Sequence, residues 1–127
     1  MTDAVEQLMT EIAKAFYREI GNAVTANYTV QMITDYAEAQ GLSYDLNGTE
    51  TTFVTKAHLT PLFERLREAM YTANPDQGAW YVAKLTIDDS GKFGYDFDYD
   101  DISQFTYPPT KEEIEEDLRQ FPRLGKG

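Results

Sequence analysis

The chain has no cysteine and a single histidine, His58. The first absence excludes a disulfide framework, a thiolate metal site and a cysteine nucleophile. The second leaves no histidine pair for a metal or a catalytic relay. A lone histidine just ahead of a helix is read as incidental. No serine stands in a G-x-S-x-G elbow, and the glycines are isolated at turns, forming neither a phosphate loop nor a dinucleotide fingerprint. The chain is therefore expected not to be an enzyme and to need no cofactor. Basic residues are scarce as well: 11 Lys and Arg stand against 22 Asp and Glu, for a formal net charge of −11. That balance argues against direct contact with nucleic acid or with an anionic membrane, both of which need basic surfaces. No apolar run approaches the ~20 residues of a membrane span. Asp3 and Glu6 stand where a signal peptide would be cationic, so the cytosol is the expected compartment.

What is present is enough apolar material for one core. The 127 residues fit one domain, expected to span 1–127, with 122–127 as a loose tail. Hydrophobic residues make up 42% and aromatics 13%, too rich for disorder. Leu8, Ile12, Phe16 and Ile20 recur every four residues, which predicts a helix over 3–20, stopped by Gly21-Asn22. Tyr28, Val30 and Met32 alternate as on a half-buried strand, and Gly41 marks a turn. Leu42, Tyr44 and Leu46 form a second strand, Asn47-Gly48 is a hairpin turn, and Thr51–Thr55 is a third strand. A second helix is expected over 60–73, capped by Thr60 with Pro61 at its first position. Leu62, Leu66 and Met70 line its apolar face, with Arg65 and Arg67 beside Glu64 and Glu68 on the solvent side. Trp80–Ile87 reads as an interior strand, with Trp80 and Val82 on one face and Tyr81, Ala83, Leu85 and Ile87 on the other. Asp88–Gly91 is a turn. Thr110 and Glu113 make a capping box for a helix running to about Gln120, which packs through Ile114 and Leu118. The expected fold is α+β: an antiparallel sheet of about five strands, a meander plus a hairpin, packed with three helices in the order α-β-β-β-α-β-β-α.

The charge is concentrated. Residues 88–119 contain 11 of the acidic side chains against Lys92, Lys111 and Arg119. Within this stretch Lys92–Tyr99 reads as a strand with Phe93, Tyr95, Phe97 and Tyr99 on one face and Gly94, Asp96, Asp98 and Asp100 on the other. Such a strand spaces its carboxylates ~6.6 Å apart. Like charges in a row repel, so a row of aspartates beside an acidic helix invites a functional explanation. It offers the charge pattern of a phosphate backbone, and a basic nucleic-acid-binding protein would be steered to it. The candidate contacts are Asp96, Asp98, Asp100, Asp101, Glu112, Glu113 and Glu116, with Tyr95 and Tyr99 as anchors if either faces solvent. Two alternatives use the same residues. Asp96–Asp101 resembles the opening of a calcium loop, but its sixth position is Asp101, where glycine is wanted, and its twelfth is Tyr107, where a glutamate is wanted. A calcium- or magnesium-binding module or a non-catalytic acidic adaptor are the remaining readings.

Trp80, Leu85-Thr86-Ile87, Ser90-Gly91-Lys92-Phe93, the run Asp96-Phe97-Asp98-Tyr99-Asp100-Asp101, and Pro108-Pro109-Thr110 opening an acidic helix together resemble the YezG-like immunity proteins. The most specific piece is G-K-F-x-x-D-F-D-Y-D-D, here Gly91 to Asp101. The resemblance implies an antitoxin that neutralises a cognate secreted bacterial toxin, often a nuclease, inside the cell that makes it. The implied partner is thus a protein toxin, with no nucleic acid or membrane contacted directly.

Overall fold

The computed structural model describes residues 3–34, 36–53, 55 and 59–124. His58 lies outside the described residues, as do Val54 of the expected third strand and residues 125–127 of the expected tail. Helix α1 spans Asp3–Tyr17 and buries Val5, Leu8, Ile12 and Phe16. It ends three residues earlier than the periodicity predicts. Glu19 and Ile20 donate backbone N–H groups to Phe16 and Tyr17 three residues back, a tightened last turn. Gly21 then takes φ +60°. Ile20 is still buried, so the apolar stripe outlasts the helix.

Five strands follow the expected meander and hairpin: β1 Thr25–Ile33, β2 Tyr36–Tyr44 and β3 Glu50–Phe53, then β4 Val82–Asp88 and β5 Phe93–Asp98. All pairings are antiparallel, in the spatial order β3-β2-β1-β4-β5. Three local expectations are corrected. Gly41 is not a turn but the middle of β2, opposite Tyr28 on one side and Phe53 on the other. A Cβ there would lie 3.0 Å from the Phe53 carbonyl oxygen and 3.1 Å from its ring, so the glycine makes room for Phe53. β2 begins at Tyr36, and its alanines and glutamate are recruited by pairing with β1, which outweighs their weak strand preference. Leu46 is not a strand residue: it lies between β2 and β3, 90% exposed. The Asp45 carboxylate closes that turn by accepting from the N–H groups of Asn47 and Thr49.

Helix α2 spans Thr60–Ala73. Its N-cap is Leu59, without a side-chain cap, and Thr60 is already helical; the cap expected of Thr60 is not made. Helices α1 and α2 share one face of the sheet. There Phe16, Phe63, Trp80, Ala26, Tyr28, Val30, Met32, Ala83, Leu85 and Ile87 form the main core. Trp80 belongs to this face, whereas Tyr81 joins Val82 on the other, the reverse of the strict alternation expected. Regular strand starts only at Val82, so alternation cannot be extended back to Trp80.

Helix α3 spans Lys111–Gln120 and opens on the expected capping box between Thr110 and Glu113. How it docks was not foreseen. Leu118 is 38% exposed. Asp117 instead is buried at 2%, and so is Arg67 of α2, contrary to its expected solvent position. Arg67 donates from both terminal nitrogens to both Asp117 oxygens at 2.8 Å, and from Nε to the Trp80 carbonyl at 2.6 Å. Thr34 adds a hydroxyl donor to Asp117 at 2.7 Å. The Arg67 guanidinium also lies 5.0 Å from the Phe121 ring centre. A bidentate pair in which each partner makes a further hydrogen bond, Asp117 with Thr34 and Arg67 with the Trp80 carbonyl, is the arrangement in which a buried ion pair is tolerated. Residues 122–124, expected to be loose, are tied down. The Pro122 carbonyl accepts from the Tyr71 hydroxyl, Arg123 pairs with Asp100 at 2.7 Å, and Leu124 N–H donates to the Pro75 carbonyl.

Candidate functional site

The β4–β5 hairpin sets out most of the residues singled out by sequence. Its turn is held by the Asp88 carboxylate, which accepts from Ser90 N–H, Ser90 hydroxyl and Lys92 N–H. The Ser90 hydroxyl and those amides hold Asp88 below the usual carboxylate range. Gly91 supplies φ +87°. On β5 the alternation is as expected: Phe93, Tyr95 and Phe97 point to the helix side and Gly94, Asp96 and Asp98 to the other. Their β4 partners sort the same way, with Ile87, Leu85 and Ala83 opposite the aromatics and Thr86, Lys84 and Val82 opposite the others.

The aromatic row is packed. Tyr95 and Phe97 stack 5.7 Å apart and 2° from parallel, and Phe97 leans on Trp80. The Tyr95 hydroxyl donates to the Met9 carbonyl at 2.7 Å. Burial pushes the hydroxyls of Tyr95 and Tyr99 above their ordinary range. Neither tyrosine meets the condition set for an anchor, since both are half-buried against the main core. The exposed aromatic of the row is Phe93, at 40%.

The aspartates do not form the ladder that the alternation predicts. β5 ends at Asp98, so Asp100 and Asp101 leave the strand. Asp98 accepts from the N–H groups of Asp100 and Asp101, both at 2.9 Å. Asp101 accepts from Ser103 N–H at 2.8 Å and from the Ser103 hydroxyl at 2.5 Å, and these bonds hold its carboxyl below the usual range. Asp100 is bridged to Arg123. The D-F-D-Y-D-D run is thus largely a strand-to-loop turn whose carboxylates serve the chain's own backbone. Among the described residues, no group of three or more carboxylate or imidazole side chains is arranged to hold a metal ion.

The helix glutamates are also divided. Glu113 accepts from Thr110 N–H in the capping box. Glu116 accepts from Gln120 and Arg119, which together lower its pKa. Glu112 is exposed, and Glu115 touches Lys111 only at 4.0 Å. Glu112, Glu113 and Glu116 lie beside Ile33 and Thr34, where β1 ends. Asp96 stands two strands away, in a row with Lys84 and Thr29. Strand geometry puts it about 16 Å from Ile33. The predicted site residues therefore form two groups, one on β5 and one on α3, rather than one stripe.

Between them lies the face of the sheet that the helices do not cover. At the β5-exit end it is closed by Phe105, packed with Ile33, Tyr81 and Val82 and flanked by Tyr36 and Ile102. Glu38 of β2 fastens this cover, accepting from Thr106 N–H at 2.7 Å and Tyr107 N–H at 2.8 Å, and from the Tyr36 hydroxyl. Burial tends to raise Glu38, but these donors win and hold it below the usual range. The same bond raises Tyr36 to about 12. Past this cover, Asn27, Thr29, Gln40, Lys84, Thr86 and Asp96 present a polar, uncovered surface, as antiparallel sheets commonly do. Sequence reasoning passed over Glu38 and Lys84, and placed Gly94 on the aspartate face without giving it a role. Only the period-2 pattern of β4 could have shown Lys84 sharing a face with Asp96.

The model of the family described as Immunity protein YezG-like aligns with residues 6–123 of the chain. No curated protein matches the chain.

Proposed function

Because the chain belongs to the YezG-like immunity protein family, we propose that it binds and neutralises one cognate secreted toxin, a nuclease, through its acidic surface and in the cytoplasm of the producing cell. The family match over residues 6–123 carries the immunity role. The acidic contact is supported by the concentration of charge in residues 88–119. It is supported too by the exposure of Asp96, Glu112 and Glu115, whose carboxylates are not spent on the turn or the cap. A nuclease presents a basic surface to the phosphate backbone. Carboxylates on a rigid sheet and helix compete for that surface, speed encounter and hold it with Arg and Lys pairs. The inhibitor works by occupancy and needs neither a catalytic group nor a cofactor. Of the candidate contacts, Asp96 and Glu112 remain, and Glu115, not among those singled out by sequence, joins them; Asp98, Asp101 and Glu113 shape the backbone that displays them, while Asp100 and Glu116 are paired with Arg123 and Arg119.

The test is co-expression with the nuclease domains of secreted toxins from the same cell. The triple variant Asp96→Asn, Glu112→Gln, Glu115→Gln should keep the wild-type melting temperature and lose protection of the host cell. Full protection by this variant would sink the acidic contact while leaving the family role intact.

A further inference from the structure

A strand at the rim of a sheet leaves alternate backbone groups unpaired, a ready template for another strand. β3 and β5 are the two rims. β3 has four residues, and shortness is itself a defence of an edge. β5 has six residues, Phe-Gly-Tyr-Asp-Phe-Asp, with neither proline nor lysine. Asp88 N–H donates to the Lys92 carbonyl at 3.0 Å, in register with the pairs Thr86–Gly94 and Lys84–Asp96. The alternation of an antiparallel ladder therefore turns the N–H and C=O groups of Gly94 and Asp96 inward to β4. Those of Phe93, Tyr95 and Phe97 turn outward.

Gly94 is an independent observation. Its φ is not in the left-handed region, and a Cβ on it would meet nothing within 4 Å. Glycine inside a strand costs roughly 0.5–1 kcal/mol relative to alanine, and nothing within the fold requires it here. Gly41, the other strand glycine, is fully explained by the ring of Phe53. A strand glycine often marks a bulge, a bend or the close approach of a ligand or another backbone; the pairing of β5 with β4 runs unbroken through Gly94, which leaves the close approach.

We infer that β5 is the edge on which the toxin docks: an extended toxin segment pairs with the outward backbone groups of Phe93, Tyr95 and Phe97 and lays an arginine or aromatic side chain across Gly94. This rests on the toxin-binding reading above. Alternation then specifies the segment. On the open face, an arginine over Gly94 reaches Asp96, whose Cα lies about 7 Å along the same strand. On the helix face, the next toxin side chain enters a largely apolar recess lined by Ala13, Tyr17, Ile87 and Phe93, where Lys14 and Arg18 also stand and favour an uncharged side chain over a basic one. The docking segment is therefore a strand of alternating basic and apolar residues. The acids that welcome it oppose self-pairing, because a second copy of β5 would bring its own Asp96 and Asp98 alongside.

The test uses the isolated domain of a secreted nuclease toxin from the same cell, in a catalytically inactive form, with the full-length chain. Gly94→Val should hold or raise the melting temperature, since the added side chain enters empty space and favours a strand. It should weaken binding tenfold or more. In the wild-type complex, hydrogen exchange should slow at the amides of Phe93, Tyr95 and Phe97. Undiminished binding by Gly94→Val, or unprotected β5 amides in a formed complex, overturns the docking edge and leaves the toxin reading standing. No binding by the wild-type chain overturns the toxin reading itself. Protection of those three amides in the chain alone at high concentration assigns the edge to a second copy and overturns the inference.

Discussion

On the helix-covered face of the sheet, residue choices follow from packing: Gly41 yields to Phe53, and Tyr95 spends its hydroxyl on Met9. On the open face, Gly94 and Asp96 have no such internal reason. The same contrast divides the acidic residues. Asp98, Asp101, Glu113 and Asp117 hold the chain's own N–H groups or Arg67, while Asp96 and Glu112 stand exposed. Residues that the fold consumes and residues that it leaves over should therefore respond to mutation in opposite currencies, stability for the first and binding for the second.

The largest effect is expected at the buried pair. Asp117→Leu leaves the Arg67 guanidinium desolvated and unpaired, which should cost about 3–5 kcal/mol in urea unfolding. Arg67→Met combined with Asp117→Leu should recover most of that loss, because an apolar pair of similar volume carries no buried charge. A single variant losing less than 1 kcal/mol would show that α3 is held by something other than this bridge. Next comes the glycine pair. Gly41→Val forces a side chain against the Phe53 backbone and should destabilise by about 1–3 kcal/mol. Gly94→Val should not destabilise, so equal losses in thermal melts would erase the distinction between the two faces.

The smallest effect concerns the cover over the far end of the sheet. Glu38 is held below its ordinary value. A carboxylate depressed in the folded chain contributes stability above its unfolded pKa, about 4.3. That contribution is lost as pH falls through the lower folded value. Amide exchange at Thr106 and Tyr107 should therefore accelerate, relative to the core, as pH drops below about 4. Glu38→Gln should remove this acid step. An unchanged step in the variant would assign it to another carboxylate.

Much of this architecture was legible in the residues. The capping box of Thr110 and Glu113, the turn glycine Gly91 and the period-2 row of β5 each name a local geometry, and each is formed. What was not legible depends on contacts remote in sequence. Arg67 sits four residues after Phe63 and three before Met70, on the apolar side of α2. Asp117 lies three after Ile114 and four before Phe121. Each position is apolar by spacing and charged by identity, and only the partner fifty residues away resolves the conflict. Gly41 looked like a turn because its reason, Phe53, belongs to another strand. The aspartate run looked like a ladder because alternation does not announce where a strand stops. Here Asp98 ends it by taking the amides of Asp100 and Asp101.

The proposed role of the leftover carboxylates is tested most directly by the association rate between the chain and a secreted toxin domain that it neutralises in co-expression, measured across ionic strength. Attraction between an acidic sheet surface and a basic nuclease predicts a rate that falls tenfold or more between about 0.05 M and 0.5 M salt. The Asp96→Asn, Glu112→Gln, Glu115→Gln variant should show a shallower slope. A rate indifferent to salt, with the variant following the wild type, would contradict an acidic docking surface.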